Sequence, residues 1–314
     1  MIGVLGGGAF GTALAIALAR DGTGVRLWSR SGAGRRGEMP RLPGVALGDR
    51  VHLTQTLDDL SSADPVLLAL PMQALSAFLR DQGSRMDGRV LIACCKGVDL
   101  ETGLGPSGII ASFCPRAKVA VLTGPSFAAD IARGLPTALT LACRDDPLAE
   151  SLQRQLSTRT LRLYRTKDVT GAELGGALKN VVAIAAGVVI GAGFGDSARA
   201  ALMTRGYAEM VRVALALGAR AETLAGLSGF GDLVLTCSSA QSRNFRFGQT
   251  LGAGITFEPG VTVEGIATAQ AAARLADRLG VEAPVAAMVS ALVAGRVTLS
   301  QAVDALLSRP LKQE

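Results

Sequence analysis

Short apolar runs alternate with segments of helical period through the first half of the chain. They predict buried strands at 2–5, 25–28, 66–70, 89–94, 118–122, 137–142 and 160–165, with a shorter one around His52. Helices are predicted among them at 12–20, 73–80 and 128–133, and the Gly-, Arg- and Pro-rich stretch 31–50 is predicted to be a loop. Strands that alternate with helices indicate a doubly wound α/β domain, here spanning 1–167.

From residue 168 onward the pattern predicts helices only. The candidate segments are 168–193, 196–218, 221–226 with 230–236, 242–251, 262–280, 284–293 and 298–307. Thr298 or Ser300 is a candidate cap for the last of them. We therefore predict a second, all-α domain over 168–314.

Composition narrows the class of protein. Hydrophobic residues make up 49% of the 314 residues but aromatic ones only 4%, which favours closely packed helices. The charge-free run 181–195 is too short and too glycine-rich to span a bilayer, and the N-terminus lacks signal-peptide features, so we expect a cytoplasmic protein without stable membrane insertion. The net charge of +6 comes from scattered arginines, which favours a small anionic substrate over a nucleic acid.

Histidine and cysteine usage excludes several chemistries. His52 is the only histidine, so a histidine-based catalytic dyad or triad would have to use it. The five cysteines are odd in number and show no C-x-x-C spacing (Cys94, Cys95, Cys114, Cys143 and Cys237). Neither a disulfide framework nor a metal site is expected.

The first strand leads into a G-x-G-x-x-G loop formed by Gly6, Gly8 and Gly11, and a helix follows. In that context glycines allow the backbone to approach a pyrophosphate at the helix N-terminus, so a dinucleotide site is predicted. The second strand is followed by Arg30, with no carboxylate before Glu38. An arginine there favours NADP, although NAD stays possible and an ordinary surface arginine is the alternative interpretation.

Two further strands of the first domain end in residues suited to ligand binding. Lys96 follows the strand at 89–94, and Gly124-Pro125-Ser126 follows the strand at 118–122. Ligands of open α/β sheets bind at the carboxyl ends of the strands, so both are candidate contacts. Ser126 could instead cap the next helix.

The helical half contains three candidate groups. Lys179 directly precedes the charge-free run, so it either snorkels to water or is buried with a perturbed pKa. Asp232 lies in a glycine-rich turn, where it could cap the next segment. Ser242, Arg243 and Asn244 stand at a predicted helix start and form either a phosphate site or an ordinary cap.

The motifs GGGAFGTALA, CCKG, GPSFA, ELGGALKN, GFGDL and QSRNFRFG occur in this order. Through them the chain resembles bacterial NAD(P)-dependent glycerol-3-phosphate dehydrogenase over essentially its whole length. The resemblance implies a Rossmann-type first domain, an NADP or NAD cofactor, a small phosphorylated substrate, a homodimer and a product that enters phospholipid synthesis. ELGGALKN and SRN are far more specific than the glycine loop.

The resemblance also implies roles for individual residues. Lys179 matches the proton-transferring lysine. Matches to substrate contacts are Lys96, Gly124, Ser126, Lys179, Asp232, Ser242, Arg243 and Asn244. Matches to cofactor contacts include the glycine loop and are Gly6, Gly8, Ala9, Phe10, Gly11, Arg30, Lys96, Ala128, Arg243, Thr262 and Glu264. Phe10 replaces a more usual Trp or Tyr, and Thr262 replaces an apolar residue, which puts the Thr262 contact in doubt.

The expected reaction is the interconversion of dihydroxyacetone phosphate and sn-glycerol 3-phosphate. A lysine has a reference pKa of about 10.4, so Lys179 would need desolvation or a nearby cation such as Lys96 to exchange protons near neutrality. Asp232 and Asn180 are candidate orienting partners. A hydroxyacyl-CoA enzyme would need a histidine in the helical half, and UDP-sugar oxidation would need Cys237 as a nucleophile. Another NADP-dependent hydroxy-acid or sugar-acid phosphate dehydrogenase and a non-catalytic NADP sensor stay as alternatives.

Overall fold

One sheet of eight strands forms the first half of the computed structural model, which describes residues 1–31 and 39–302. The strands are β1 (Ile2–Leu5), β2 (Val25–Trp28), β3 (Val51–Thr54), β4 (Val66–Leu68), β5 (Val90–Ala93), β6 (Lys118–Thr123), β7 (Thr137–Ala142) and β8 (Leu161–Thr166). They are ordered β3-β2-β1-β4-β5-β6-β7-β8. Only the β6–β7 pair of this sheet is antiparallel. The order reverses between β1 and β4, where open α/β sheets bind dinucleotides.

Five helices cover this sheet. They are α1 (Ala9–Ala19), α2 (Met72–Gln82), α3 (Pro106–Phe113), α4 (Ala128–Arg133) and α5 (Asp146–Leu156). Because helices cover both faces, the central strands are apolar along their whole length, and residues such as Ile2, Leu67 and Ile92 have no exposed surface. The predicted doubly wound domain is confirmed.

Helices α3 and α5 were not among the predicted helices. The start of α5 is set by a cap, because the Asp145 side chain accepts a hydrogen bond of 3.0 Å from the Leu148 amide. Its buried residues are only Ala149, Leu152 and Leu156, a narrow stripe on an otherwise polar helix. These three residues are spaced i, i+3 and i+7, which is the period of an amphipathic helix, so the signal for α5 was present in the sequence and was overlooked.

Helices alone make up the described part of the chain after β8, up to residue 302. They are α6 (Val169–Gly191), α7 (Gly195–Ala216), α8 (Ala221–Ala225), α9 (Asp232–Cys237), α10 (Arg243–Gly252), α11 (Glu264–Leu279) and α12 (Pro284–Val293), with a π-helical turn at Leu227–Gly231. The predicted all-α second half is confirmed. Residues 299–302 begin one more helix, capped by Thr298, whose hydroxyl accepts from the Gln301 amide at 3.2 Å. Residues 303–307 of that predicted helix, like Glu38, lie outside the described residues.

Helix α6 is the central element of the second half. It is long and apolar enough to cross a membrane, with a mean hydropathy of 1.8, yet 78% of that apolar window is buried inside the protein. Its side chains pack against α7, α9, α10, α11 and α12 in one hydrophobic core. Its N-terminal half also contacts β6 and β7. The residues of α6 nearest the sheet therefore lie between the two halves of the chain.

Candidate active site

Lys179 lies in the middle of α6 and is almost completely buried. The helix is started by Asp168, whose side chain accepts from the Gly171 amide at 2.8 Å. The Lys179 side chain is only 9% exposed, so the alternative of a lysine that snorkels to water is wrong. Its ammonium donates to Thr236 Oγ1 at 2.7 Å and pairs with Asp232 Oδ1 at 3.1 Å.

Asp232 joins the lysines of the two halves. Its side chain is 2% exposed, and its second oxygen, Oδ2, lies 2.6 Å from Lys96 Nζ. Lys96 follows β5, and its ammonium also donates to the carbonyl oxygen of Gly124 at 2.9 Å, just after β6. One buried carboxylate is therefore shared by Lys96 and Lys179.

Burial and these neighbours set the protonation of the site. Burial lowers the pKa of Lys179 to about 8; the Asp232 carboxylate opposes this shift and the Lys96 cation adds to it. Burial alone would raise the pKa of Asp232, but Lys179 and Lys96 outweigh it and the pKa lies below its usual value. At neutral pH the site therefore combines a carboxylate with a lysine that can both donate and accept a proton.

Asp232 is the first residue of α9 and comes directly after the π-helical turn. The N-cap of α9 is Gly231, and the Asp232 carboxylate contacts the two lysines, so the alternative interpretation of this side chain as a cap of the next segment is wrong. The Gly231 amide donates to the Gly226 carbonyl at 3.1 Å, a bond across five residues. π-Helical turns are frequent at functional sites.

The Gly124-Pro125-Ser126 turn lies beside Lys96. Ser126 donates its hydroxyl to the Gly124 carbonyl at 3.0 Å, and Phe127 is the N-cap of α4, so the alternative interpretation of Ser126 as the cap of this helix is wrong. Ala128 begins α4 and packs in one apolar cluster with Ala9 and Phe10. The Phe10 ring lies 6.0 Å from Lys96 Nζ.

The Ser242-Arg243-Asn244 triplet begins α10. Ser242 caps the helix, with its hydroxyl accepting from the Phe245 amide at 3.2 Å. Asn244 donates to Asn180 Oδ1 at 2.9 Å. The prediction that Asn180 orients the lysine or the substrate hydroxyls stays a prediction. The side chain of Arg243 is exposed at the helix start. Through Asn244 and Asn180 the triplet is thus linked to α6, one residue from Lys179. The Arg243 guanidinium is accessible to an anion.

Glu264 links α11 to the first half of the chain. Its Oε1 accepts a hydrogen bond of 3.3 Å from the Met72 amide at the start of α2, after β4. Burial raises the pKa of Glu264, and the Met72 amide and the Arg243 guanidinium lower it. Glu264 and Arg243 therefore lie in the same electrostatic environment, next to the point where the strand order reverses.

The glycine loop has the geometry of a phosphate cradle. Gly6 has a φ of +125°, and a Cβ there would lie 2.5 Å from the Ala69 carbonyl oxygen. A Cβ on Gly11 would lie 2.1 Å from the Gly6 carbonyl oxygen. A Cβ built on Gly8, the N-cap of α1, would meet no atom of the described residues within 4 Å, and none of their side chains caps the helix. An open, uncapped helix start with tightly packed glycines beneath it fits a pyrophosphate.

Two predicted cofactor contacts stay apart from this arrangement. Arg30 and Thr262 are both exposed. Within residues 1–31 and 39–302, no hydrogen bond or ion pair joins either side chain to the other candidate residues, and the contact that Arg30 makes through its carbonyl oxygen is with Gln55, at 3.0 Å. Their assignments stay predictions.

Sequence reasoning missed Thr236. This hydroxyl accepts from the Lys179 ammonium and donates to Asp232 Oδ1 at 3.2 Å, and the residue is 3% exposed. It stands four residues after Asp232 on the same helix, so both side chains share one face. The four-residue spacing from Asp232 could therefore have indicated Thr236 as a site residue.

Residues 1–149 match the N-terminus of NAD-dependent glycerol-3-phosphate dehydrogenase, and residues 168–304 match its C-terminus. A relative from Cereibacter sphaeroides, named glycerol-3-phosphate dehydrogenase [NAD(P)+], is 67% identical over 314 residues, with 100% of each chain covered. One of the same name from Paracoccus denitrificans is 62% identical, covering 100% of this chain and 99% of the relative. The crystal structure of a glycerol-3-phosphate dehydrogenase from Coxiella burnetii superposes with a TM-score of 0.93 at 34% identity, covering 98% of each chain.

Proposed function

The chain belongs to the NAD-dependent glycerol-3-phosphate dehydrogenase family, and we propose that it interconverts dihydroxyacetone phosphate and sn-glycerol 3-phosphate with NAD(P)H. The observation that carries the mechanism is Lys179, buried between the two halves, paired with Asp232 and with a pKa of about 8. It is a proton-transfer group poised near neutral pH. The alternative of a sugar-acid phosphate dehydrogenase is not favoured, because the relatives of high identity carry the glycerol-3-phosphate dehydrogenase name.

Lys179 moves the proton that balances the reaction. The reduced nicotinamide, when bound, supplies a hydride to the carbonyl carbon of the substrate. The Lys179 ammonium donates a proton to the carbonyl oxygen as negative charge develops there, and a neutral lysine remains. In the oxidative direction neutral Lys179 takes the hydroxyl proton. Asp232 and Thr236 hold the ammonium through contacts of 3.1 and 2.7 Å, and so aim it.

Substrate binding is assigned to both halves of the chain. We assign the phosphate to Arg243 with the start of α10, where Ser242 and Asn244 shape the backbone. We assign the glycerol end of the substrate to Lys96, Asp232 and the Gly124-Pro125-Ser126 turn. Contacts of 2.6 to 3.0 Å hold these groups together, and they offer hydrogen-bond donors and acceptors. Phosphate binding then orients the reacting carbon, so remote contacts support the chemical step.

The cofactor is assigned to the loop after β1. Gly6, Gly8, Ala9, Phe10 and Gly11 would hold the pyrophosphate at the start of α1. The remaining assigned contacts are Arg30, Lys96, Ala128, Arg243, Thr262 and Glu264. An arginine after β2 supports a preference for NADP over NAD, since a guanidinium pairs with a 2′-phosphate.

The wider setting follows from the reaction and the family. We place the enzyme in the cytoplasm as a homodimer without membrane insertion, supplying glycerol 3-phosphate for phospholipid synthesis. The burial of α6 supports the absence of insertion, since its apolar surface is used in the core. The chain divides functionally at 167/168, so that Lys96 and Lys179 reach the substrate from different domains.

Oxidation of NADPH and of NADH by dihydroxyacetone phosphate, followed by absorbance, tests the proposal. Lys179→Ala should lose at least about 100-fold in kcat, the usual contribution of a general acid. Lys118→Ala is the matched control, because Lys118 is an exposed residue at the start of β6. Turnover of Lys179→Ala at the wild-type rate would refute the assigned proton transfer. Absence of dihydroxyacetone phosphate reduction by the wild-type chain would refute the function.

A further inference from the structure

We infer that Gly175 and Gly176 are positioning residues, which set the distances from Lys179 to Asp232 on one side and to Lys96 on the other. This inference rests on the proposed function for its consequence in catalysis. It concerns the packing of α6, and no role in binding a ligand is assigned to either glycine.

The two glycines lie directly beneath the Lys179 side chain. Lys179 follows Gly175 by four residues and Gly176 by three on α6, so all three share one side of the helix. Side chains of a helix lean toward its N-terminus and cover the preceding turn. The Lys179 side chain therefore runs over the surface that the glycines leave open.

Gly175 packs against the backbone of the π-helical turn. A Cβ on Gly175 would lie 2.5 Å from the carbonyl oxygen of Ser228 and 3.0 Å from the Gly229 Cα. The turn has no slack on its other side, because a Cβ on Gly229 would lie 2.0 Å from the Leu224 carbonyl oxygen. The turn leads straight into Asp232, so its distance from α6 determines how closely the carboxylate approaches Lys179.

Gly176 packs against the end of β6. A Cβ there would lie 2.5 Å from Thr123 Oγ1 and 3.6 Å from Lys96 Cγ. Thr123 is 1% exposed, and its hydroxyl has no hydrogen-bond partner among the residues that the structure describes. The next residue, Gly124, accepts the hydrogen bond from Lys96. The contact between Gly176 and Thr123 therefore sets how closely Lys96 approaches Lys179.

Adjacent substitutions should consequently act in opposite directions. The charged groups that act on Lys179 are Asp232 on α9, which raises its pKa, and Lys96 after β5, which lowers it. The nearby Cys237 thiol stays neutral, because burial raises its pKa to about 12. Gly175→Ala moves Asp232 away, so the pKa should fall, by about one pH unit for about 1 Å of added separation at an effective dielectric constant of about 20. Gly176→Ala moves Lys96 away, so the pKa should rise.

A compensating substitution separates this effect from general damage. Thr123→Ala removes the hydroxyl that a side chain at position 176 would strike, so the double variant Thr123→Ala/Gly176→Ala should return the pKa of Lys179 to the wild-type value. The obstacle at position 175 is a carbonyl oxygen, which no side-chain change removes. Gly191→Ala is the matched control, because its Cβ would lie 2.1 Å from the Gln249 carbonyl oxygen, at the far end of α6.

The pKa of Lys179 is measured by NMR titration of isotope-labelled lysine in each full-length variant, which is practical because the chain has only five lysines. The pH at which reduction of dihydroxyacetone phosphate declines is the second readout. Opposite shifts for the two glycines, with no shift in Gly191→Ala, support the inference. Shifts of the same sign, wild-type values in both variants, or an equal shift in the control overturn it.

Failure of a variant to fold, or of the enzyme to act, is also informative. If Gly176→Ala fails to fold, the double variant decides: a folded double variant with the wild-type pKa supports the role of Gly176, and one that does not fold or has a shifted pKa overturns it. If Gly175→Ala fails to fold, the inference is overturned for Gly175, because a positioning role requires a folded enzyme with a lowered pKa of Lys179. If the wild-type protein does not reduce dihydroxyacetone phosphate, the proposed function fails, while the NMR titration still tests the packing of the two glycines.

Discussion

Replacing Asp232 by asparagine tests the electrostatic account of the site most directly. The substitution keeps the shape of the side chain but removes the charge that lies 2.6 Å from Lys96 and 3.1 Å from Lys179. Lys179 then keeps its burial and its cationic neighbour but loses the group that favours its ammonium form. Its pKa should fall well below the present value of about 8.

The size of the shift follows from the distances. Two unit charges about 4 Å apart interact by about 4 kcal/mol at an effective dielectric constant of about 20, and one pKa unit corresponds to about 1.4 kcal/mol. The pKa of Lys179 should therefore fall by about two to three pH units once water rearranges around the amide. Removal of one partner from a buried ion pair should also lower the free energy of unfolding by about 3–5 kcal/mol.

The assay is kcat/KM for dihydroxyacetone phosphate reduction between about pH 5 and pH 10, together with urea unfolding. The pH dependence of kcat/KM reports groups in the free enzyme. Asp58→Asn is the control, because its pair with Arg85 is exposed, with side chains 74% and 54% accessible, and should change neither measurement appreciably. A midpoint near the wild-type value in a folded Asp232→Asn enzyme would show that the carboxylate does not tune the lysine.

Three more outcomes are expected. In the wild-type enzyme, the rate of reduction should decline and the rate of oxidation should rise as pH increases through about 8. Reduction needs the ammonium form of Lys179 and oxidation needs its neutral form. Rates that change with pH in the same direction for both reactions would contradict this. Gly6→Ala should weaken cofactor binding and lower the melting temperature, because its Cβ would meet a carbonyl oxygen at 2.5 Å. Gly8→Ala should leave stability unchanged in the same thermal scans, because its Cβ would meet no atom of the described residues within 4 Å. Arg30→Ala should lower affinity for NADPH about 10-fold or more and leave NADH almost unaffected, and Arg243→Lys should raise KM for the phosphorylated substrate, as steady-state kinetics with both cofactors would show.

Most of the fold could be predicted from the chain because the signals are local. Apolar runs marked the strands to within one or two residues, and the glycine loop lies where the β1–α1 unit requires it. Helices α3 and α5 escaped prediction, although the buried residues of α5 follow the period of an amphipathic helix. The antiparallel pairing of β6 with β7 also escaped, since strand direction depends on long-range hydrogen bonds that leave no mark in the residue pattern.

The amino-acid sequence by itself determined which groups are available for chemistry. The resemblance carried by the ELGGALKN motif implied that Lys179 is the acid–base group, and a single histidine left few alternatives to it. The residue pattern left open whether that lysine snorkels or is buried. It also left open whether Ser126 and Asp232 cap helices or contact a ligand. Burial and pKa depend on distances between groups far apart along the chain, and only packing brings Lys96 and Lys179 to opposite oxygens of Asp232. The tertiary structure thus turned a lysine of ordinary pKa into one that can exchange protons near neutral pH.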